Sequence, residues 1–338
     1  MITTLNLEKY DPSEMHKIYD QWPELAKQAY ELKFESVNYD EIDHIVFAGM
    51  GGSGTIGDMF SAILSKTKIH VSIVKGYLLP KTVDKNTLVV ITSVSGNTSE
   101  TLTILNSIVN LDCKVIVFSS GGKIKTFCKH NKIPFRFIQK RHSPRASFVD
   151  YVFPILNILE NIIPINKKDI YQSISDLENI SKKISSKNLT ETNPALNLAE
   201  NIIDTPLIYY PCGLQAAAIR FKNSLQENAK MHVMIEDVIE ASHNSIVSWQ
   251  SPSRVFPILL QGEDDYVKTK ERWNIMKDFF HENSINYSEI MSVKGSIFSK
   301  IICLIYFLDY VTIYRAILSK VDPAPIPAID FIKNRLSS

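Results

Sequence analysis

The sequence predicts an α/β protein made of two doubly wound parallel-sheet subdomains, with helices on both faces of each sheet. Short apolar runs recur, each ended by a glycine- or serine-rich turn and followed by helix-like sequence. Strand-like runs alternating with helix-like stretches are the pattern of a mostly parallel sheet. The pattern also occurs twice, over residues 44–138 and again over 207–291, which implies two similar units with a cleft between them.

Taken in order, residues 8–35 place Tyr10, Ile18, Trp22, Leu25 and Ala29 at helical spacing in polar sequence. His44-Ile-Val-Phe-Ala48 reads as a buried strand stopped by Gly49-Met-Gly-Gly-Ser-Gly54, with a helix through Asp58–Leu64. Val71–Val74 and Thr87–Thr92 are further strands, the latter followed by the turn Ser93-Val-Ser-Gly-Asn97 and a helix from Thr98. Lys114–Phe118, ended by Ser119-Ser-Gly-Gly122, and Phe135–Ile138 complete the first set. Residues 163–200, rich in Lys, Ser, Asn, Asp and Glu, read as helical connectors and a loop. In the second set, strands fall at Leu207–Tyr210, Val255–Leu260 and Tyr287–Met291, with helices from Leu214 and over 265–283 and 296–318. The tail, Val321-Asp-Pro-Ala-Pro-Ile-Pro327, is stiffened by prolines and leads into a short helix over 328–336. The organisation expected is an N-terminal helical segment 1–35, a first subdomain 36–160, a helical connector 161–200, a second subdomain 201–320 and a C-terminal segment 321–338.

Composition narrows the function classes. With 45% hydrophobic and 22% charged residues, the chain is neither disordered, collagenous nor coiled coil. Thirty-seven Lys and Arg against 36 Asp and Glu leave a net charge of +1, so neither nucleic acid nor an anionic membrane is expected as a partner. A phosphorylated small molecule stays open, because a local site can be positive in a neutral protein. The most apolar stretch, Ile301–Leu308, is far shorter than the ~20 residues of a membrane span and predicts a buried helix. The N-terminus has neither the basic start nor the apolar core of a signal peptide. Cys113, Cys128, Cys212 and Cys303 lie far apart without CxxC spacing, which predicts free thiols in a reducing compartment. Together these predict a soluble cytoplasmic protein.

The strongest local signal is Ser93-Val-Ser-Gly-Asn-Thr-Ser-Glu-Thr101, directly after an apolar strand and at the start of a helix. The hydroxyls of Ser93, Ser95 and Thr98, with backbone N–H groups of the turn and the positive end of the helix, can converge on one anion. The competing reading is a polar turn with an N-cap. Gly49, Gly51 and Gly54 fit GxGxxG spacing, but the second strand ends in Lys75 rather than an acidic residue, which argues against a dinucleotide. These glycines instead suit close approach of backbone to a sugar or phosphate, with Ser53 adding a hydroxyl. Besides His243, the histidines at 16, 44, 70, 130, 142, 232 and 281 show no metal-ligand spacing, so no metal and no cofactor are expected.

GxGGSG after the first strand and SxSGNTxET after the third resemble the SIS (sugar isomerase) fold, a flavodoxin-like parallel sheet. Further blocks follow in order: Ser143-Pro-Arg-Ala-Ser147, Gln226-Glu-Asn-Ala-Lys230, Ser242-His-Asn244 and Val321-Asp-Pro-Ala-Pro with Ile329-Asp-Phe-Ile-Lys333. With these, the chain resembles the archaeal-type bifunctional phosphoglucose/phosphomannose isomerases from about residue 45 to 335. Val94 stands where an aromatic is common, and Ser242 and Ser245 flank the His-Asn pair where Asn and Glu are usual.

The resemblance implies metal-free interconversion of glucose 6-phosphate, mannose 6-phosphate and fructose 6-phosphate through an enediolate. It implies phosphate binding at Gly51, Gly52, Ser53, Ser93, Ser95 and Thr98. It implies catalytic roles for Arg145, Glu227, His243 and Lys333, and a homodimer in which His243 is supplied in trans. The residue types suit the chemistry. A carboxylate held beside C1–C2 can move the proton, a histidine can open the ring, and a fixed guanidinium can stabilise the enediolate. Taken singly, Glu227 reads as a solvated helix glutamate, His243 as a loop histidine and Lys333 as a surface lysine. Another SIS isomerase, acting on an amino sugar or a pentose phosphate, and a non-catalytic phosphosugar sensor share the phosphate loop; only the base and acid separate the sensor.

Overall fold

The computed structural model describes residues 2–336. Three short helices, α1 (Thr4–Tyr10), α2 (Met15–Asp20) and α3 (Trp22–Glu31), lead into the first sheet. That sheet takes β1 (His44–Ala48), β2 (His70–Val74), β3 (Thr87–Ser93), β4 (Lys114–Ser119) and β5 (Phe135–Phe137) in the order β2-β1-β3-β4-β5, all parallel. Its crossovers are α4 (Gly52–Leu64), α5 (Ser99–Ile108) and α6 (Gly122–His130). Helices α7 (Phe148–Ile158), α8 (Lys167–Ile184) and α9 (Pro194–Asn201) connect to the second sheet. There β6 (Thr205–Tyr210), β7 (Met234–Asp237), β8 (Val255–Gln261) and β9 (Ser288–Met291) run parallel in the order β7-β6-β8-β9, with α10 (Gln215–Ser224), α11 (Val238–Ala241) and α12 (Val267–Glu282). Helix α13 (Ile297–Leu318) and the terminal α14 (Pro327–Leu336) close the chain.

The strands of the first sheet are buried on both faces because alternate residues serve different cores. Ile45, Phe47, Leu88, Val90, Ile116 and Phe118 face a large central core, whereas Val46, Ala48, Val89, Ile91, Val115 and Val117 pack in a second cluster with Ile104, Leu105 and Ile124 of α5 and α6. The second sheet does the same. Ile208, Tyr210, Ile258 and Leu260 join the central core, and Leu207, Tyr209 and Leu259 pack outward with Trp273 and Phe280 of α12. The two sheets therefore share one core. Through it runs α13, which is long and apolar enough to cross a membrane by length and composition but is 83% buried inside the protein over its most apolar stretch.

Among the elements that escaped the sequence pattern, two have a clear physical reason. Helix α7 is buried at almost every position and contains Pro154, so it shows no polar face. Strand β7 is a four-residue edge strand, Met-Ile-Glu-Asp, only partly buried, and it lacks the apolar run of its neighbours.

Asp150, in the first turn of α7, pairs with Arg141 at 3.0 Å while its Oδ2 is buried with no partner. Burial raises its pKa to about 6, against the opposing charge of Arg141. An acid with a raised folded-state pKa contributes stability at low pH that is lost as pH rises through the folded value. Going from pH 5 to pH 7.5 should thus cost the wild type about 1 kcal/mol that Asp150→Asn does not lose, taking an unfolded pKa of ~3.9. Denaturant titrations of both proteins at the two pH values check this; an identical pH dependence in the two would show that Asp150 stays ionised throughout.

Candidate active site

In a sheet ordered 2-1-3-4-5 the strand order reverses between β1 and β3, the point at which loops leaving parallel strands part to form a crevice at their carboxyl ends. The two glycine- and serine-rich turns of the sequence sit here. After β1, Gly51 adopts φ +54° and opens α4. After β3, the turn 94–98 opens α5, so two helix N-termini lie at the carboxyl ends of the adjacent strands β1 and β3.

The three hydroxyls named from the sequence converge. Thr98 Oγ1 lies 3.2 Å from Ser93 Oγ and 3.4 Å from Ser95 Oγ, and Thr98 starts α5 without spending its hydroxyl on a cap. The turn N–H groups are less free than the sequence suggested: those of Gly96 and Asn97 donate to Ser93 and Ser95. The turn presents its hydroxyls and the first turn of the helix. Gly96 has φ +67°, and a Cβ there would come within 1.8 Å of the Gly121 carbonyl oxygen, so only glycine lets the turn lie against the loop after β4. The Asn97 side chain accepts from Lys123 N at 2.9 Å and thus ties the turn to α6. Val94 is buried in the central core, so its departure from an aromatic is a matter of packing.

Behind the glycine turn, Lys75 crosses Gly54 and places its Nζ 2.6 and 2.7 Å from the Asp58 carboxylate. Burial pushes the Asp58 carboxyl above its usual range, and Lys75 opposes it. The lysine that argued against a dinucleotide is thus the partner of a buried acid on α4.

Arg145 and Glu227, 82 residues apart, meet beside this crevice. Arg145 is 3% exposed, and its Nη1 donates to Glu227 Oε2 at 3.1 Å. Nε donates to Asn228 Oδ1 at 2.6 Å, and Nη2 donates to the carbonyls of Pro323 and Ala324 at 2.6 and 3.0 Å. Every arm of the guanidinium is therefore fixed. Glu227 lies in a π-helical turn, Leu225–Ala229, at the end of α10. That extra backbone residue turns the carboxylate out while Leu225, Asn228 and Ala229 stay buried, a use of π-turns common at functional sites. Gly52 joins the two parts of the site: a Cβ built on it would lie 3.2 Å from Arg220 Nη1 and 3.8 Å from Arg145 Cα.

Several supports were invisible in the sequence. Arg220 is buried, chelated by Asp309 (Nε at 3.1 and 3.2 Å, Nη2 at 2.7 Å), and gives Nη2 to the Arg145 carbonyl at 2.6 Å. Asn228 donates to Thr312 Oγ1 at 2.7 Å, and the Trp22 indole donates to the Ala146 carbonyl at 3.0 Å. The one available signal was an aspartate and a threonine, three residues apart, inside the most apolar part of α13.

His243 and Lys333 are placed differently. His243 follows α11, is exposed, and its ring makes no side-chain hydrogen bond among the described residues. The adjoining loop is held by Asn244 to Glu240 at 2.7 Å and by Ser245 to Glu236. Lys333 lies in α14, none of whose described residues is buried. Among the described residues, no group of three or more His, Cys, Asp or Glu side chains is arranged to hold a metal ion.

Comparison with known proteins finds matches for both halves of the chain. Residues 39–155 match the SIS domain, and residues 191–336 match the bacterial phospho-glucose isomerase C-terminal SIS domain. The chain is 31% identical over 327 residues, 93% of its length and 96% of the relative's, to a bifunctional phosphoglucose/phosphomannose isomerase of Caldicellulosiruptor bescii. It is 29% identical over 255 residues, 74% of its length and 78% of the relative's, to a D-glucosamine-6-phosphate 4-epimerase of Sulfolobus acidocaldarius. A hypothetical protein of Thermus thermophilus shares the fold with a TM-score of 0.76 at 14% identity, covering 99% of this chain and 93% of that one.

Proposed function

The chain belongs to the bifunctional phosphoglucose/phosphomannose isomerase family, and from that premise we propose that it interconverts glucose 6-phosphate and fructose 6-phosphate, and mannose 6-phosphate and fructose 6-phosphate, with Arg145, Glu227, His243 and Lys333 as its catalytic groups. The observation that carries this reading is the Arg145–Glu227 contact set beside the crevice between the two phosphate-type turns. Gly51, Gly52 and Ser53 on one side, and Ser93, Ser95 and Thr98 on the other, grip the phosphate.

With the phosphate held, C1 and C2 lie toward Glu227. His243 protonates the ring oxygen and takes the O1 proton, assisted by Lys333, which opens the sugar. Glu227 then removes the C2 proton of the aldose to give an enediolate, the O2 proton passes to O1, and Glu227 returns its proton to C1 to give the ketose. The two aldoses differ only at C2, so both pass through the same enediolate and one base serves both. Arg145 Nη1, the donor facing Glu227, is placed to meet the enediolate oxygen as charge develops. We further propose that the segment 321–338 completes the site, that the active form is a two-fold homodimer with His243 crossing to the partner, and that the protein works in the cytoplasm.

The test is a coupled assay for fructose 6-phosphate formed from each aldose phosphate, with EDTA present, and with glucosamine 6-phosphate run alongside because of the Sulfolobus relative. Turnover of both aldoses is expected. Conversion of the amino sugar alone would move the chain to the epimerase reading.

The hydroxyl cluster gives a separate prediction. Ser95→Ala with Thr98→Ala removes donors that hold substrate and transition state alike, so KM should rise by roughly tenfold or more while kcat falls by less. Unphosphorylated fructose should be a very poor substrate. Steady-state kinetics on both aldoses decides it; a loss confined to kcat would place these hydroxyls at the reacting carbons instead.

A further inference from the structure

Lys230 ends the Gln-Glu-Asn-Ala-Lys block and has so far no part in the reaction. Its backbone is left-handed, φ 57° and ψ 35°, and caps the π-helical turn. Its side chain reaches further. Nζ donates to the Glu227 carbonyl at 2.6 Å and also reaches the tail, to Pro325 O at 2.9 Å and Pro323 O at 3.4 Å. Arg145 Nη2 takes the Pro323 and Ala324 carbonyls from its own side. Three successive carbonyls of the proline segment are therefore held by two cations, Lys230 and Arg145. A lysine serving only to close the π-turn would need the Glu227 carbonyl alone; the contacts to Pro323 and Pro325 bridge 93 and 95 residues. Proline has no N–H, so carbonyls are the main hydrogen-bonding groups this segment can offer.

We propose that Lys230 is a positioning residue that clasps the Pro323–Pro325 segment to the backbone of Glu227, fixing Arg145 and Glu227 relative to one another. The proposal rests on the isomerase reading above. The same clasp sets where α14, beginning at Pro327, leaves the site and so where it carries Lys333. Burial and the nearby Arg145 lower the Lys230 pKa, which fits an ammonium pressed against a second cation and kept there by carbonyls, with Asp322 and Glu227 the acids close by.

Two variants test it. Lys230→Gly removes the ammonium and relieves the left-handed backbone, so the fold should melt no lower than the wild type. Lys230→Met keeps the stem. Both should lower kcat roughly tenfold with KM nearly unchanged, because a small misplacement of the reacting groups leaves the phosphate cradle intact. Lys230→Arg should restore most of the rate. Hydrogen exchange at the amides of 324–330 should speed up in the glycine and methionine variants. The proposal is overturned if kcat stays within about twofold of wild type, if the loss falls on KM, if tail exchange is unaltered, or if the loss tracks a lower melting temperature in both variants. Wild type and Glu227→Gln run in the same assay separate the two readings. If the wild type turns over and Glu227→Gln does not, a fully active Lys230→Gly removes the clasp alone. If Glu227→Gln is active, the base assignment falls and the clasp falls with it.

Discussion

Glu227→Gln should lower kcat for both interconversions by at least about 10²-fold, the usual size for loss of a positioned general base. Glutamine keeps the shape of glutamate and a carbonyl oxygen able to accept from Arg145 Nη1, so the 3.1 Å contact and the π-turn beneath it need not move. The phosphate turns are also untouched, so KM should change by less than about threefold. What disappears is the basic oxygen pair that can take a proton from C2 and return it to C1. Both reactions should suffer together, because they share one enediolate. Steady-state kinetics from each aldose phosphate reads this directly; near-wild-type turnover in either direction would remove Glu227 as the base, and loss of only one activity would mean that the two epimers use different groups.

How much of this could be read from the chain depends on the range of each interaction. Strands β1, β3 and β4 are legible because both faces are covered, leaving uninterrupted runs such as Thr87–Ser93, buried throughout. The hydroxyl turn after β3 is legible because it is local: Ser93, Ser95 and Thr98 meet within six residues of chain. Strand β7 and helix α7 were hidden, one by being a partly exposed edge, the other by being buried on all sides.

The site beyond the turns is long-range. Arg145 meets Glu227 across 82 residues and the Pro323 carbonyl across 178, and periodicity carries no trace of either contact. Resemblance named Arg145 and Glu227 as residues, but not what holds them. Carbonyl acceptors such as Pro323 and Ala324 leave no signature at all, since every residue has one. The Arg220–Asp309 pair was concealed for another reason. A lone aspartate in an apolar helix looks like an interruption until the buried guanidinium that neutralises it is seen, and removing one partner of such a pair leaves an uncompensated buried charge. The Arg145 carbonyl rests on that pair through Arg220 Nη2.

Mixing two inactive variants should bring activity back from near zero. Within one chain the Arg145–Glu227 cluster includes no hydrogen bond to a histidine among the described residues, while His243 stands exposed on a loop held by Asn244 and Ser245. The loop is flanked by exposed apolar side chains, Val247 at 62% and Ile239 at 37%, which suits a surface that another copy covers. A two-fold contact pairs the same patch with itself and so delivers the loop to both sites at once. Glu227→Gln and His243→Ala homodimers should each be almost inactive. In a mixed dimer with His243 acting in trans, one site receives both lesions, and the other combines an intact Glu227 with the partner subunit's intact His243. Each mixed dimer then has half the wild-type activity, and random exchange of equal amounts should return roughly a quarter of it overall, from the statistics of a two-fold assembly. If His243 serves its own chain, every site keeps one lesion and the mixture stays near zero. The measurement is the fructose 6-phosphate assay after subunit exchange, with light scattering on the wild type at the same concentration; a monomer there, or no recovery once exchange has been shown with differently tagged chains, overturns the arrangement in trans.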